Sequence, residues 1–335
     1  MPMVPPPPTP GRIRKRRALG LLGTGLLLAG AVLAAAQHVD YARPVEAAPQ
    51  ERDIGAGYRT PVVQHAPPRA QWREAVDVGL LAVGLGLGAW LSLVRRSRAG
   101  MFLLAIGGVA YFGFYRRGCV CPIGSIQNVA VALTDPQYAV SYFTVAIFLL
   151  PLVAAALFGR VFCGGVCPLG AIQELVLLRP VQVPARVDRA LRWLRWAYLG
   201  LALALAVRPA AARDFIICRF DPFVPLFRFA GPAYMLLLGG AFLLVGTLIG
   251  RPYCRWLCPY GALLSLPARV AWRSVSITPD KEYDCGLCAT ACPYGAIEGL
   301  RAVRADCVTC ARCYRHCPRH QPTTAASAAP AEAPP

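Results

Sequence analysis

The chain has 335 residues, of which 56% are hydrophobic and only 16% charged, and its net charge is +18. This composition excludes an ordinary soluble two-domain protein and indicates a helical protein that crosses a membrane several times. The arginines flank apolar runs, where the positive-inside rule places them. We therefore expect membrane lipid, and not nucleic acid, as the partner of the positive charge.

The two ends of the chain lie outside the predicted core. Residues 1–17 form a basic, Pro-rich segment that is expected to be disordered. Residues 18–36 are apolar and form either the first span or a signal anchor that can be cleaved. Residues 37–75 form a predicted periplasmic loop, and the Ala/Pro-rich tail 321–335 is also expected to be disordered.

Hydropathy predicts an all-α polytopic membrane protein with about six transmembrane helices. A helix needs about 20 apolar residues to cross a bilayer, and six runs approach that length: 18–36, 76–94, 99–115, 138–159, 193–212 and 229–250. Most lysines and arginines fall on the side of the N-terminus, so both termini are expected to be cytoplasmic in a bacterial inner membrane. Asp77, near the start of the second run, is expected to be solvated at the interface.

A cysteine signature, Cys-x3-Cys-Pro-x-Gly-Ala, follows two of the predicted spans in the membrane domain 76–270. Its two copies supply four thiols: Cys163, Cys167, Cys254 and Cys258. Two crossings separate the copies, so both are expected on the cytoplasmic side. Because proline fits the first turn of a helix, Pro168 and Pro259 are predicted to start short helices whose free N–H groups stabilise thiolates and a bound cluster. The four thiolates hold either one [4Fe–4S] cluster or two incomplete ones.

The segment 271–320 is predicted to be a bacterial-type ferredoxin module of the α+β class. Its seven cysteines form two sets, and each set ends in Cys-Pro: Cys285, Cys288, Cys292, Cys307, Cys310, Cys313 and Cys317. In two-cluster ferredoxins the last cysteine of a set binds the other cluster. One [4Fe–4S] cluster is then predicted to be held by four thiolates: Cys307, Cys310, Cys313 and Cys292.

The second ferredoxin cluster lacks one cysteine, because only Cys285, Cys288 and Cys317 remain and Glu282 stands where the fourth is expected. This site holds either a three-iron cluster or a four-iron cluster completed by Glu282, Asp284 or water. Structural zinc is the rival interpretation of cysteines at this spacing. The long run of seven cysteines with two Cys-Pro ends favours iron–sulfur clusters.

Three further cysteines, Cys119, Cys121 and Cys218, are predicted to lie on the outer face. Either Cys218 forms a disulfide with Cys119 or Cys121 and leaves one thiol free, or the three hold another metal site. The hydrocarbon core is about 30 Å thick, so electrons that cross it need a stepping stone. A bound flavin or quinone would serve the same purpose. No histidine falls in a predicted span, which argues against His-ligated haem there.

The motifs CGGVCP and CRWLCP, with the tail motifs CGLCATACP and CVTCARCYRHCP, resemble the membrane polyferredoxins of the NosR, NapH and MauN type. The resemblance implies a multi-span helical core, cytoplasmic [4Fe–4S] clusters and electron delivery to or from a redox system at the membrane. Two features depart from the family pattern. The loop 37–75 is too short for the large outer flavin domain of NosR-like proteins, and Glu282 replaces a cysteine.

These features together predict an electron-transfer component and not a stand-alone catalyst, so no catalytic residue is predicted. Electrons would move between a cytoplasmic donor or the quinone pool and a periplasmic redox protein or flavoprotein. Two alternative functions remain open at this point. One is a cofactor-assembly factor for a periplasmic copper reductase, and the other is a quinol dehydrogenase subunit of the NapH type.

Overall fold

Two long apolar helices open the part of the chain that can be described. The computed structural model describes residues 70–118, 122–209, 213–275, 286–298 and 301–316. Helix α1 (Gln71–Ala89) continues as a π-helical turn (Trp90–Val94), and helix α2 (Arg98–Gly108) continues as another (Val109–Tyr115). With lengths of 24 and 18 residues, both are long and apolar enough to cross a membrane. They correspond to the second and third predicted spans.

Asp77 in α1 is buried, so the expectation that it is solvated was wrong. The Arg116 guanidinium lies 2.7 Å from one carboxylate oxygen of Asp77, and the Tyr111 hydroxyl donates to the other at 2.9 Å. A buried carboxylate needs such partners because desolvation without them is costly. Both partners come from the end of the neighbouring helix, and local sequence around Asp77 does not reveal them.

A unit of helix, cysteine motif and helix occurs twice in the described chain. The first unit consists of α4 (Tyr142–Phe158), a π-helical turn (Phe162–Val166) and α5 (Pro168–Leu175). The second unit consists of α9 (Ala233–Gly246), α10 (Pro252–Trp256) and α11 (Pro259–Ala268). The apolar helices α4 and α9, which match the fourth and sixth predicted spans, have 17 and 14 residues. Both are shorter than the ~20 residues of an untilted span.

Helix α3 (Pro122–Thr134) precedes the first unit, and three helices lie between the units: α6 (Ala185–Ala206), α7 (Ile216–Arg219) and α8 (Phe223–Arg228). Helix α6 overlaps the fifth predicted span, 193–212, but begins eight residues before it and ends at Ala206. Four arginines lie in its first half, at positions 186, 189, 192 and 195. Only its second half is continuously apolar.

One hydrophobic core joins the two units. The Phe162 ring lies edge-on to the Tyr260 ring at a centroid distance of 6.0 Å, and the Tyr260 hydroxyl donates to the Phe148 carbonyl at 2.6 Å. Core side chains also come from α1, α2, α3 and α6. The two cysteine motifs therefore lie in the centre of the fold and not on surface loops.

The C-terminal segment adds two short helices and a two-stranded antiparallel ribbon. These elements are α12 (Leu287–Thr290), β1 (Ile297–Glu298), β2 (Arg301–Ala302) and α13 (Arg312–His316). Ile297 pairs with Ala302 across the ribbon. Cys288 and Tyr314 pack with Met101 of α2, so this segment rests against the first helices. The six-span arrangement and the ferredoxin-type module remain predictions. The segments 1–17, 18–36 and 321–335, with most of the loop 37–75, lie outside the described residues.

Candidate iron–sulfur sites

The second cysteine of each motif starts a helix, as the Cys-Pro sequence predicts. Cys167 is the N-cap of α5 and Cys258 the N-cap of α11, with Pro168 and Pro259 in the first helical position. The Cys258 sulfur accepts the backbone N–H of Gly261 at 3.3 Å. The free N–H groups of a helix start favour negative charge, so both cysteines occupy positions suited to thiolates.

Each motif contacts the arginine that precedes the other motif. Arg251 precedes the second motif, and its Nη1 donates to the Cys163 carbonyl of the first. A Cβ on Gly170 would lie 3.1 Å from that Nη1. In the same way, a Cβ on Gly261 would lie 3.0 Å from Nη2 of Arg160, which precedes the first motif. The glycine of each Pro-x-Gly thus leaves room for the arginine of the other copy, and the copies face each other.

This arrangement brings the four motif cysteines to one place. Gln173 links the copies, because its Nε2 donates to the Cys254 sulfur at 3.3 Å and its Oε1 accepts the Tyr253 N–H at 3.1 Å. Cys167 and Cys258 are buried, whereas Cys163 and Cys254 are half-buried. Burial, together with the neighbouring Cys167 thiol, raises the pKa of Cys254. Without a metal the Cys254 thiol therefore stays protonated, and iron binding has to displace its proton.

A second group of cysteines lines a cavity in the C-terminal segment. The group is the one that the ferredoxin spacing predicts: Cys292, Cys307, Cys310 and Cys313. Most of the other lining side chains are apolar, among them Val275 and Ile297, and Arg312 also lines the cavity. Burial raises the pKa of the Cys307 thiol to about 12. Four soft sulfur donors in an apolar cavity suit an iron–sulfur cluster.

Several predicted ligands cannot be placed. Cys119, Cys121, Glu282, Asp284, Cys285 and Cys317 lie outside the described residues, as does the side chain of Cys218. Cys288 is described and is buried. Within the described ranges, no three Cys, His, Asp or Glu side chains are close enough to share a single metal ion. A cubane distributes four thiolates over its iron atoms, so a cluster site does not need three ligands around one ion.

Glu174 was missed by the sequence analysis and lies between the two cysteine groups. Its buried carboxylate accepts from Arg98 of α2, and from Arg251 and Arg312 at 3.0 Å each. The Tyr294 hydroxyl donates to the same carboxylate. Burial alone would raise the pKa of Glu174, but the charges of the three arginines outweigh it and lower the pKa to about 2. The signal in the sequence was a single charged residue in the otherwise uncharged helix PLGAIQEL.

Arginines of the helical core also bind carbonyls of the C-terminal segment. Arg160 donates to the Ala305 carbonyl at 3.2 Å, and Arg255 donates to the Pro293 carbonyl at 3.0 Å. A Cβ on Gly164 would lie only 2.5 Å from the Val308 carbonyl, so the backbones touch there. Cys163 therefore belongs to the same group of packed hydrophobic side chains as three cysteines of the other group: Cys292, Cys307 and Cys310.

The geometry defines a protein with two adjacent groups of cysteine thiols, each suited to an iron–sulfur cluster. Comparison with known families agrees, because residues 140–183 and 231–277 match the 4Fe–4S binding domain family. These segments contain both Cys-x3-Cys-Pro motifs. The chain thus contains two segments similar to this 4Fe–4S binding domain family, which agrees with the resemblance to NosR, NapH and MauN type proteins.

Two curated relatives share part of this sequence. The protein NirI of Paracoccus denitrificans is 32% identical over 142 residues, which cover 41% of this chain and 20% of NirI. YccM of Escherichia coli, assigned by its name as a putative electron transport protein, is 29% identical over 149 residues, or 43% of this chain and 41% of YccM. The chain thus spans less than half the length of either relative. No solved structure matches it.

Proposed function

We propose that this protein transfers electrons through [4Fe–4S] clusters at the bacterial inner membrane, between a cytoplasmic donor or the quinone pool and a periplasmic redox partner. The observation that carries the proposal is that Cys163 packs against the hydrophobic side chains around Cys292 and Cys310. Clusters bound at the two cysteine groups would be neighbours, as electron hopping requires. The electron-transport assignment of the relative YccM supports the same function.

In this proposal one cluster is held by the two motifs and another by the cavity of the C-terminal segment. The first takes the four motif thiolates: Cys163, Cys167, Cys254 and Cys258. The second takes the four thiolates of the cavity: Cys292, Cys307, Cys310 and Cys313. A third cluster takes Cys285, Cys288 and Cys317, and is either a three-iron cluster or completed by Glu282 or Asp284. The clusters supply the redox chemistry, while the chain supplies ligands, spacing and charge.

The membrane placement rests on the apolar helices. Two described helices, Gln71–Val94 and Arg98–Tyr115, have the length and composition of spans. The shorter apolar helices Tyr142–Phe158 and Ala233–Gly246 each lead into a cysteine motif. With the runs 18–36 and 193–212 they make up six spans, with both termini in the cytoplasm. The motifs then lie at the cytoplasmic ends of the fourth and sixth spans.

An outer-face site at Cys119, Cys121 and Cys218 completes the proposed path, and a glutamine pair supports it. Gln173 of the first motif accepts the N–H of Tyr253, the residue before Cys254. Gln127 occupies the same position after Pro122, and its Oε1 accepts the N–H of Ile217, the residue before Cys218, at 3.0 Å. Gln127 is fully buried. The same device thus positions the backbone next to a partner cysteine in both places.

The test starts with metal content. The protein is purified anaerobically, iron and sulfide are quantified, and EPR spectra are recorded on the dithionite-reduced sample. Cys163→Ser and Cys254→Ser are each expected to remove one cluster signal and its iron, while the signal of the Cys307 group remains. A preparation free of iron, or loss of no signal in either variant, would overturn the proposal.

The direction of the path is tested at the outer face. The clusters are reduced in inside-out vesicles whose lumen encloses a membrane-impermeant oxidant. The wild-type protein should reoxidise quickly, and Cys218→Ser should slow this step at least tenfold without changing cluster content. If electrons reach the lumen equally fast in Cys218→Ser, Cys218 is not on the path. If the clusters are reoxidised neither in the wild-type protein nor in Cys218→Ser, and a client enzyme lacks its cofactor, the assembly-factor function replaces the electron-transfer function.

A further inference from the structure

A surplus of arginine surrounds the two cysteine groups. Seven arginines are buried or half-buried there: Arg98, Arg160, Arg192, Arg195, Arg251, Arg255 and Arg312. Among the described residues their carboxylate partners are Glu174, Asp188 and Asp306. Cations therefore outnumber anions in a region that water reaches poorly. Desolvated charge of one sign is costly unless an anion occupies the region.

The surplus concentrates at a cavity beside Cys254. Five arginines line this cavity together with Asp306: Arg160, Arg192, Arg195, Arg251 and Arg255. Three of them have a buried Nε without a hydrogen-bond or ion-pair partner: Arg160, Arg192 and Arg195. A buried donor left unpaired costs about 1–3 kcal/mol. These donors point to an acceptor that carries negative charge.

Arg160 differs from the other members of this set. No carboxylate within hydrogen-bond distance of it occurs among the described residues, whereas Arg251 is paired with Glu174, and Arg192 and Arg195 with Asp306. Its Nη2 lies 3.8 Å from the Cys163 sulfur, and Arg160 is only 3% exposed. Its guanidinium therefore faces the motif site without a directly paired carboxylate, and Asp306 is the anion that lines the same cavity.

We propose that Arg160, with Arg195 beside it, raises the reduction potential of the cluster held by the two motifs. The inference rests on the proposed cluster at that site. A cubane with four thiolate ligands is an anion, and its negative charge grows by one when it accepts an electron. A fixed buried cation stabilises the reduced form more than the oxidised form, and net charge and hydrogen bonds to sulfur are among the factors that set cluster potentials. Arg160 and Arg195 thus act on the cluster through their positive charge and do not bind its iron.

The test is a potentiometric titration of the purified protein, followed by EPR. Arg160→Gln should keep its iron and sulfide, and the equilibrium constant for reduction of the motif cluster should fall about tenfold, which is about 59 mV for a one-electron couple. Arg160→Lys keeps the charge and should restore most of the wild-type potential. Arg186→Gln removes an exposed charge from α6 and should change the potential far less.

Arg195→Gln provides an independent measurement if Arg160→Gln loses its cluster, and it should shift the same signal in the same direction. An unchanged potential in a cluster-loaded Arg160→Gln or Arg195→Gln would overturn the inference. A shift as large in Arg186→Gln would overturn it too, because net charge alone would then explain the effect. If the wild-type protein binds no iron, the proposed function itself fails, and metal content separates that outcome from the others.

Discussion

The two cysteine motifs are alike around their cysteines and differ after the shared Pro-x-Gly-Ala. Both have Gly-Arg before the first cysteine, an N-cap cysteine, and a glycine that receives the arginine of the other copy. After the proline, the first copy continues to Gln173 and Glu174, and the second continues to Leu264 and Ser265. The Ser265 hydroxyl donates within its own helix, to the Ala262 carbonyl at 2.6 Å.

This difference distinguishes two roles of the repeated unit, which are forming the cysteine site and binding the C-terminal segment. The shared residues build a site with approximate two-fold symmetry, which needs equal contributions from both copies. Glu174 of the first copy instead binds Arg312 and Tyr294 of the C-terminal segment. The C-terminal segment binds to the first copy through this carboxylate, and the second copy has Ser265 at the matching position. A repeat in sequence therefore marks the shared site, and a break in the repeat marks the docking contact.

Removal of the Glu174 charge should give the largest effect on stability. Glu174→Gln leaves three arginines around a neutral amide, and breaking a buried ion pair costs about 3–5 kcal/mol. Ser265→Ala, at the matching position, should cost about 1 kcal/mol. Denaturant unfolding in detergent measures both. Because the pKa of Glu174 is lowered, its contribution is complete above its ordinary pKa and is lost as the pH falls towards 2.

Equal losses in Glu174→Gln and Ser265→Ala would contradict this division of roles. Limited proteolysis adds a second measurement, since the C-terminal segment should be cleaved faster in Glu174→Gln than in Ser265→Ala.

A pH titration sharpens the comparison on the side of the second copy. Asp221 is buried, and its Oδ1 accepts the Phe223 N–H at 2.9 Å. The Phe223 ring lies 5.2 Å from the ring of Tyr253 in the second motif. Burial raises the pKa of Asp221 to about 6. The folded state therefore favours the protonated acid, so this stabilisation is present below the unfolded pKa of about 3.9 and is lost as the pH rises through 6.

Wild-type protein should lose up to about 3 kcal/mol of stability relative to Asp221→Asn between pH 4 and pH 8. Parallel unfolding titrations of both proteins measure the difference. A difference that stays constant over this range would show that Asp221 is ionised throughout.

The smallest effects test the symmetry of the site. Gly170→Ala and Gly261→Ala each place a methyl group 3.0–3.1 Å from an arginine nitrogen, and overpacking of this kind costs about 1–3 kcal/mol. Reciprocal contacts predict similar losses for the two variants. As controls, Gly200→Ala and Gly240→Ala meet no atom within 4 Å, so they should be neutral or slightly stabilising. A loss in only one of Gly170→Ala and Gly261→Ala would break the symmetry.

Local sequence determined the features that depend on neighbours along the chain. Pro168 and Pro259 start helices because their ring presets the backbone and needs no N–H partner. The apolar runs predicted α1, α2, α4 and α9, since length and hydrophobicity are local properties. The grouping of Cys292 with the other cavity cysteines follows the ferredoxin spacing, although ligand binding there remains a prediction.

Tertiary structure alone decided which charges meet. Asp77 pairs with Arg116, and Glu174 gathers Arg98, Arg251 and Arg312 from three separate segments. No periodicity or motif links these positions, because an ion pair depends on distance in space and on shared burial. The cysteine spacing thus predicts what each site binds. The folded core decided how close the sites lie and which positive charges surround them.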